Sequence, residues 1–382
     1  MAEKKKTMNY AVEFWRFVSC MIFILVHVYI VYPKFYWGIA PWINNGKVMF
    51  LGSMDVIIIF YLITGYFLMR TYRKNKALNE EKKVETSATK EASKYLVRRL
   101  KGLYPAFLIC LLFGLILTNL YNDIPISKWF WVAVDSLWEW AGGVLTGLGI
   151  GNNYYGLMSE GKHMLMNGPL WFISCLFIVG YVVYYLLEKC EDLFIGLIAP
   201  IGFLLAYGYF HVNNISPMWY VFVGGGVSQA AIQAFVCIGM GCIFYVLIDK
   251  LKDKKFSNMT KLVLTIVNLF CSCVVIYHMV IGTNLTFATI NGLCMIFIFL
   301  TLLNQDYLTK FLNTPIWKYP GKLALYIYML HYPIIGMLRK SLNLSNLHEI
   351  CIITYCITIL LSLILMVVMD YVITPKLNKK KA

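Results

Sequence analysis

Long apolar runs alternate with short polar connections along the whole chain. Ten of them, at 11–31, 47–69, 102–120, 168–188, 193–210, 230–249, 262–281, 286–304, 323–339 and 350–371, suit helices crossing a ~30 Å hydrocarbon core at about 1.5 Å per residue. The pattern predicts an all-α polytopic membrane protein with about ten transmembrane helices, forming a single domain over residues 1–382. The first run follows "MAEKKKT" much as the core of a signal peptide would. It is too long for that, holds Arg16 and lacks a small-residue cleavage site, so it is expected to stay as a retained span.

The polar connections are asymmetric. Lysine and arginine collect before the first run, at 70–101, 188–192, 249–261 and 304–322, and after 371. The alternate connections hold only Lys34, Lys47, Lys128, Lys162, Arg339 and Lys340. Basic residues mark the cytoplasmic side, which predicts both termini inside. The stretch 70–97, which contains "RKNKALNEEKKVETSATKEASK", is mixed in charge and reads as a solvated, mobile cytoplasmic loop rather than a site. The outer stretch 121–167 contains "KWFWVAVDSLWEWAGGVLTGLG", which suits a segment lying at the interface or dipping in and returning. "GGGV" at 224–227 has no lysine after it and is not a phosphate-binding loop.

Composition supports this class. Hydrophobic residues make up 60% and charged residues 14%, with a mean hydropathy of +0.67, which excludes a soluble domain of this length. The net charge of +15 does not imply nucleic acid, because the basic residues sit in short connections and form no patch. The 11 cysteines lie almost wholly within apolar runs and form no C-x-x-C pair. They read as small buried hydrophobes, with neither a disulfide nor a metal expected.

Against this background the first run stands out, because it keeps an arginine and a histidine. An ionised group at the bilayer centre costs roughly 2.5–3.5 kcal/mol on insertion scales. Arg16 and His27 are eleven residues apart, about 20° past three full helical turns, so they share one face about 16 Å apart along the axis. This spacing fits one polar stripe of a pore or two ends of one elongated ligand. A guanidinium suits phosphate, and a neutral imidazole suits proton transfer. Coenzyme A would present that pair of ends, with phosphates at the cytoplasmic side and a thioester half a membrane away. For Arg16, snorkelling to the headgroups with Glu13 as its i, i+3 partner is an equal reading. His27 snorkels less easily, which favours function there.

"R-x10-H" in a first span resembles the signature of the membrane-bound acyltransferase family 3, which includes bacterial O-acetyltransferases of cell-surface polysaccharides. Other stretches are similar to family segments in the same order: "GSMDVIIIFYLITGYFL" at 52–68, "YLVRRLKGLYP" at 95–105, "GPLWFISCLF" at 168–177 and "GKLALYIYMLHYPII" at 321–335. Five such matches in order, from the first run to the ninth, cover nearly the whole chain. Two departures are present. Gly102 stands where many members have a third arginine, and Leu176 where some have a glutamate. The periplasmic hydrolase-like extension of some members is not expected here.

The resemblance implies a bacterial cytoplasmic-membrane enzyme that moves an acyl group, acetyl in the first instance, from cytoplasmic acetyl-coenzyme A to a hydroxyl of a cell-surface or lipid-linked glycan. Arg16, Arg98, Arg99 and Lys101 would hold the nucleotide end. His27 would be the base, with Asp55 orienting its ring as in a triad. His331, with Tyr328 and Tyr326 on the preceding turns, would stand in the active cavity, touching the acyl carbonyl or the acceptor; its other reading is a buried histidine satisfied by a tyrosine or a carbonyl. Direct transfer and a covalent acyl-histidine step both stay open. Topology alone accounts equally well for the basic cluster at 98–101. Trp171 reads first as packing or an interface anchor, and second as a cavity wall. Thr64 and Gly65 read as a close helix contact. His163, His211, His278 and His348 read as ordinary interfacial residues without metal-ligand spacing. A transporter of a small metabolite or lipid-linked precursor is the alternative from another class, since intramembrane charges also line substrate paths. A sensor or scaffold would leave Arg16 and His27 without a purpose.

Overall fold

A computed structural model describes residues 8–31, 57–121, 123–138, 171–213, 222–223, 227–341 and 347–375. The described elements are α1 (Tyr10–Val31), α2 (Ile58–Glu81), α3 (Ala88–Tyr121), α4 (Ile126–Trp138), α5 (Trp171–Leu193), α6 (Ala199–Val212), β1 (Phe222–Val223), β2 (Val227–Ser228), α7 (Gln229–Leu251), α8 (Asn258–Ile281), α9 (Phe287–Leu303), α10 (Tyr307–Leu312), α11 (Lys318–Ser341) and α12 (Leu347–Val368). The two strands form a single antiparallel pair. Each of the ten apolar runs contains a helix.

Among the described residues, six helical stretches are long and apolar enough to cross a membrane: Tyr10–Val28, Ala88–Leu117, Trp171–Val212, Gln229–Leu251, Asn258–Ile281 and Glu349–Ile373. The stretch Trp171–Val212 takes in the fourth and fifth predicted spans. It breaks at Cys190, whose φ of −154° and ψ of 57° are not helical, and then passes through a π turn at Phe194–Ile198 into α6. The architecture is therefore an all-α, multi-pass membrane bundle. Local signals set the other boundaries. Ser228, Ser257, Thr286 and Asp306 cap α7, α8, α9 and α10 by accepting from the backbone N–H three residues on. Gly282, at φ +80°, ends α8 in a conformation that disfavours a side chain.

Most of the polar stretch 70–97 is helical, where a loop was expected. Helix α2 runs beyond its apolar part to Glu81, and α3 starts at Ala88. Lysine, glutamate, alanine and leucine are good helix formers, and an adjoining apolar helix supplies the nucleus they lack alone. Its charged groups also find partners. Arg73 and Lys76 both pair with Glu191 of α5, and Tyr72 donates its hydroxyl to the same carboxylate at 3.0 Å.

Two close approaches organise the bundle. Gly65 of α2 crosses Gly241 of α7 so tightly that a Cβ on either would overlap the other helix's backbone, at the Ile238 carbonyl or the Leu62 carbonyl. This is the close contact read from Thr64 and Gly65, and it is how small residues let membrane helices pack. Helix α1 lies along α11, where a Cβ on Gly321 would overlap the Glu13 side chain. Phe14 sits edge-on to Trp317 at 4.6 Å, and Trp15 contacts Phe297 at 5.1 Å. Helix α12 turns Ile350, Thr354, Thr358 and Ser362 inward, all fully buried. Their one-turn spacing gives α12 a narrow face against its neighbours.

Helix ends that the charge pattern assigns to one side are also joined. Asn9 donates to the Thr301 carbonyl at 2.9 Å, the Tyr10 amide donates to Asn313 at 2.7 Å, and Lys322 pairs with Asp370. Outward positions such as Leu204, Leu205, Ile266 and Phe270 are exposed, as faces turned to lipid are. Helix α4 is too short to cross a bilayer and exposes Ile126, Phe130 and Trp131, which fits a segment lying at the interface.

Candidate active site

Helix α1 presents Arg16, Cys20, Phe23 and His27 to one cavity of about 250 Å³. Their spacing of four, three and four residues keeps them on one face of a 3.6-residue helix. Helix α2 adds Phe60, Ile63, Thr64 and Phe67, again one face, with Ile57 just before it. Helix α3 contributes Arg99 and Leu103, α5 contributes Trp171, Phe172, Ile173 and Leu176, and α11 contributes Ala324, Leu325 and Tyr328. Most of this wall is apolar, and the charged groups Arg16 and Arg99 enter it from two helices.

Arg16 is held by Glu13 one turn earlier. Its Nη1 donates to both carboxylate oxygens, at 3.1 and 2.9 Å. The pair read as the bland alternative therefore exists, and the same guanidinium still faces the cavity. Glu13 is buried while 30% of the Arg16 side chain is exposed, so the carboxylate is the fixed member. Arg99 lies over the Tyr95 ring, 5.6 Å from its centroid. Tyr95 in turn stacks on Tyr184 at 4.7 Å. Two guanidinium groups and one carboxylate leave this end of the cavity with a net positive charge, which favours an anion.

His27 occupies the other end of the α1 stripe. Its Nδ1 lies 2.8 Å from the Phe23 carbonyl and 3.2 Å from Nε2 of His331. The rings meet edge to face at 4.8 Å, and Tyr332 stands edge-on to His27 at 5.6 Å. Nδ1 of His331 lies 2.8 Å from the Tyr328 carbonyl and 3.1 Å from the Ile327 carbonyl. Among the described residues, Nε2 of His27 has no hydrogen-bond partner. Phe172 links the walls, meeting Phe60 at 5.9 Å and Tyr328 at 5.8 Å.

The structure thus brings Arg16, Arg99 and His27 to one cavity, with His331 directly behind His27. Arg98 and Lys101 do not reach it. They are exposed and line a separate surface depression with Lys90, Ser93, Lys94 and Val97, because on a helix Arg98 points 100° away from Arg99. Asp55 lies outside the described residues, as does His163. Trp171 belongs to the cavity wall, its second reading, and Thr64 lines the cavity beside its role at the helix crossing. His278 is buried and accounted for locally, 2.8 Å from Thr283 Oγ1. Among the described residues no group of three or more histidine, cysteine, aspartate or glutamate side chains is arranged to hold a metal ion.

Sequence reasoning passed over Cys20 and Phe23, and took Tyr328 as a neighbour of His331 rather than as part of the cavity wall. The 3.6-residue period that joins Arg16 to His27 also selects Cys20 and Phe23, so that signal was present. Tyr328 is one turn before His331 and was legible in the same way. The direct contact between the two histidines had no signal, because it joins α1 to α11 across 304 residues.

A family model described as an acyltransferase domain matches residues 9–371. No curated protein and no solved structure matches the chain.

Proposed function

Because the chain belongs to the membrane-bound acyltransferase family 3, and so is a membrane acyltransferase, we propose that it transfers an acetyl group from cytoplasmic acetyl-coenzyme A to a hydroxyl on a cell-surface or lipid-linked glycan at the bacterial cytoplasmic membrane. One observation carries this reading. Two arginines and a histidine line one cavity, with the arginine and histidine of α1 about 16 Å apart along the helix axis. That distance suits a donor with phosphates at one end and a thioester at the end of a long flexible arm.

In this reading Arg16 and Arg99 bind the phosphates, with ten crossings and both termini in the cytoplasm. The charge asymmetry and the joined helix ends support that sidedness. The apolar wall of Phe23, Phe60, Phe172 and Leu176 surrounds the arm and excludes water. His27 Nε2 takes the proton of the acceptor hydroxyl as its oxygen bonds to the acyl carbonyl carbon. The carbon–sulfur bond then breaks, and His27 returns the proton to the departing thiolate. A thiolate is a fair leaving group, so direct transfer needs no protein nucleophile. Arg98 and Lys101 act from outside the cavity, raising the positive potential that draws the donor in.

Thiol release from acetyl-coenzyme A by purified protein tests the proposal. His27→Ala is expected to abolish release in a protein that keeps its melting temperature. Retained activity would refute the base assignment, and substrate flux without thiol release would favour a transporter.

A further inference from the structure

We propose that His331 is a positioning residue, which holds the His27 ring with its proton on Nδ1 and its bare nitrogen, Nε2, toward the cavity. This rests on the reading of His27 as the base. It differs from the sequence-based expectation that His331 touches the acyl carbonyl or the acceptor.

The argument is a count of donors and acceptors along one short chain. Nδ1 of His331 lies between two backbone carbonyls, Tyr328 at 2.8 Å and Ile327 at 3.1 Å. A carbonyl can only accept, so Nδ1 carries the proton. In a neutral ring the other nitrogen then carries a lone pair. That nitrogen, Nε2, lies 3.2 Å from Nδ1 of His27. Two lone pairs would repel at this distance, so Nδ1 of His27 carries a proton and donates it. The Phe23 carbonyl, 2.8 Å away, accepts from the same N–H. The remaining nitrogen of His27 is bare.

The Phe23 carbonyl alone is a poor guide for the ring. It lies four residues back on the same helix and serves as a backbone acceptor there. His331 is an acceptor on a different helix, so it fixes the plane of the ring as well as its tautomer. The sequence around His331 suits this task. Pro333 has no N–H and interrupts the hydrogen-bond ladder of α11 just beyond the carbonyls that hold the His331 ring. His331 and Pro333 are both buried, so the arrangement is screened from water. When His27 takes the acceptor's proton, its Nδ1–H still points at an acceptor, and the new positive charge is shared with it. A second proton on Nε2 of His331 would face that N–H, so the pair holds one positive charge.

Two substitutions and a spectroscopic measurement test the assignment. His331→Gln keeps an oxygen that can accept from His27 and an N–H that can donate to the carbonyls. His331→Leu keeps the bulk and removes both. Thiol release by His331→Leu is expected to fall about 10–100-fold in kcat, with KM for acetyl-coenzyme A unchanged because Arg16 and Arg99 are intact. His331→Gln is expected to recover most of the loss. Nitrogen-15 spectra of histidine-labelled wild-type protein in liposomes, with the His27 signals assigned by His27→Gln, are expected to show a protonated Nδ1 and a bare Nε2. A proton on Nε2 of His27, full kcat in His331→Leu, or no recovery by glutamine over leucine would each overturn the proposal. The spectra need no turnover. If wild-type protein released no thiol, the proposed function would fail, while the tautomer would still be decided by the nitrogen signals.

Discussion

Arg16 of α1 and Arg99 of α3 face the same cavity, and among the described residues only Arg16 of the two is paired with a carboxylate, Glu13 at 2.9 Å. The pairing fixes where the guanidinium stands without cancelling the charge of the site. It also makes Arg16 a structural and a binding residue at once, so the two roles must be separated by experiment.

Arg16→Ala leaves the buried Glu13 carboxylate without its partner. Because the arginine side chain is 30% exposed, the cost is discounted to about 1–3 kcal/mol from that of a fully buried pair. The double change Glu13→Gln with Arg16→Gln is expected to recover the melting temperature and leave KM for acetyl-coenzyme A raised at least tenfold. Recovery of KM along with stability would mean that Arg16 only neutralises Glu13.

Cys20 lies between Arg16 and His27 on the cavity face of α1. A small alkylating reagent that reaches it should block thiol release, with acetyl-coenzyme A slowing the modification. Cys20→Ala should turn over and resist the reagent. Mass spectrometry of the labelled protein checks this, and equal inactivation of Cys20→Ala would place the sensitive thiol elsewhere.

Gly65→Ala places a methyl group against the Ile238 carbonyl of α7. The two helices must then move apart, at about 1–3 kcal/mol, and Gly65→Leu should prevent folding. Thermal unfolding in detergent measures the first and expression of monodisperse protein the second. An unchanged melting temperature in Gly65→Ala would contradict the crossing.

Glu191→Gln removes the negative charge, and one of the two acceptor oxygens, that Arg73, Lys76 and Tyr72 share. Both basic side chains are about half exposed, so the loss is about 1–2 kcal/mol. It is expected in the melting temperature and not in kcat, since these residues lie away from the cavity.

Hydrophobic periodicity was enough to read an all-α membrane bundle, because each helix must satisfy its own backbone in lipid and so declares itself locally. The face shared by Arg16 and His27 was legible for the same reason, since it depends only on the pitch of one helix. Other features were settled between helices. Whether the polar stretch 70–97 continues α2 and α3 depended on adjoining helices and on a carboxylate contributed by α5. Which basic residue of α3 enters the cavity, Arg99 rather than Arg98 or Lys101, was decided by how α3 turns against α5 and α11. The meeting of His27 with His331 required α1 to lie along α11, and Gly321 allows that approach where a larger residue would meet Glu13. Local sequence sets which way a side chain points from its own helix; only packing sets what it meets there.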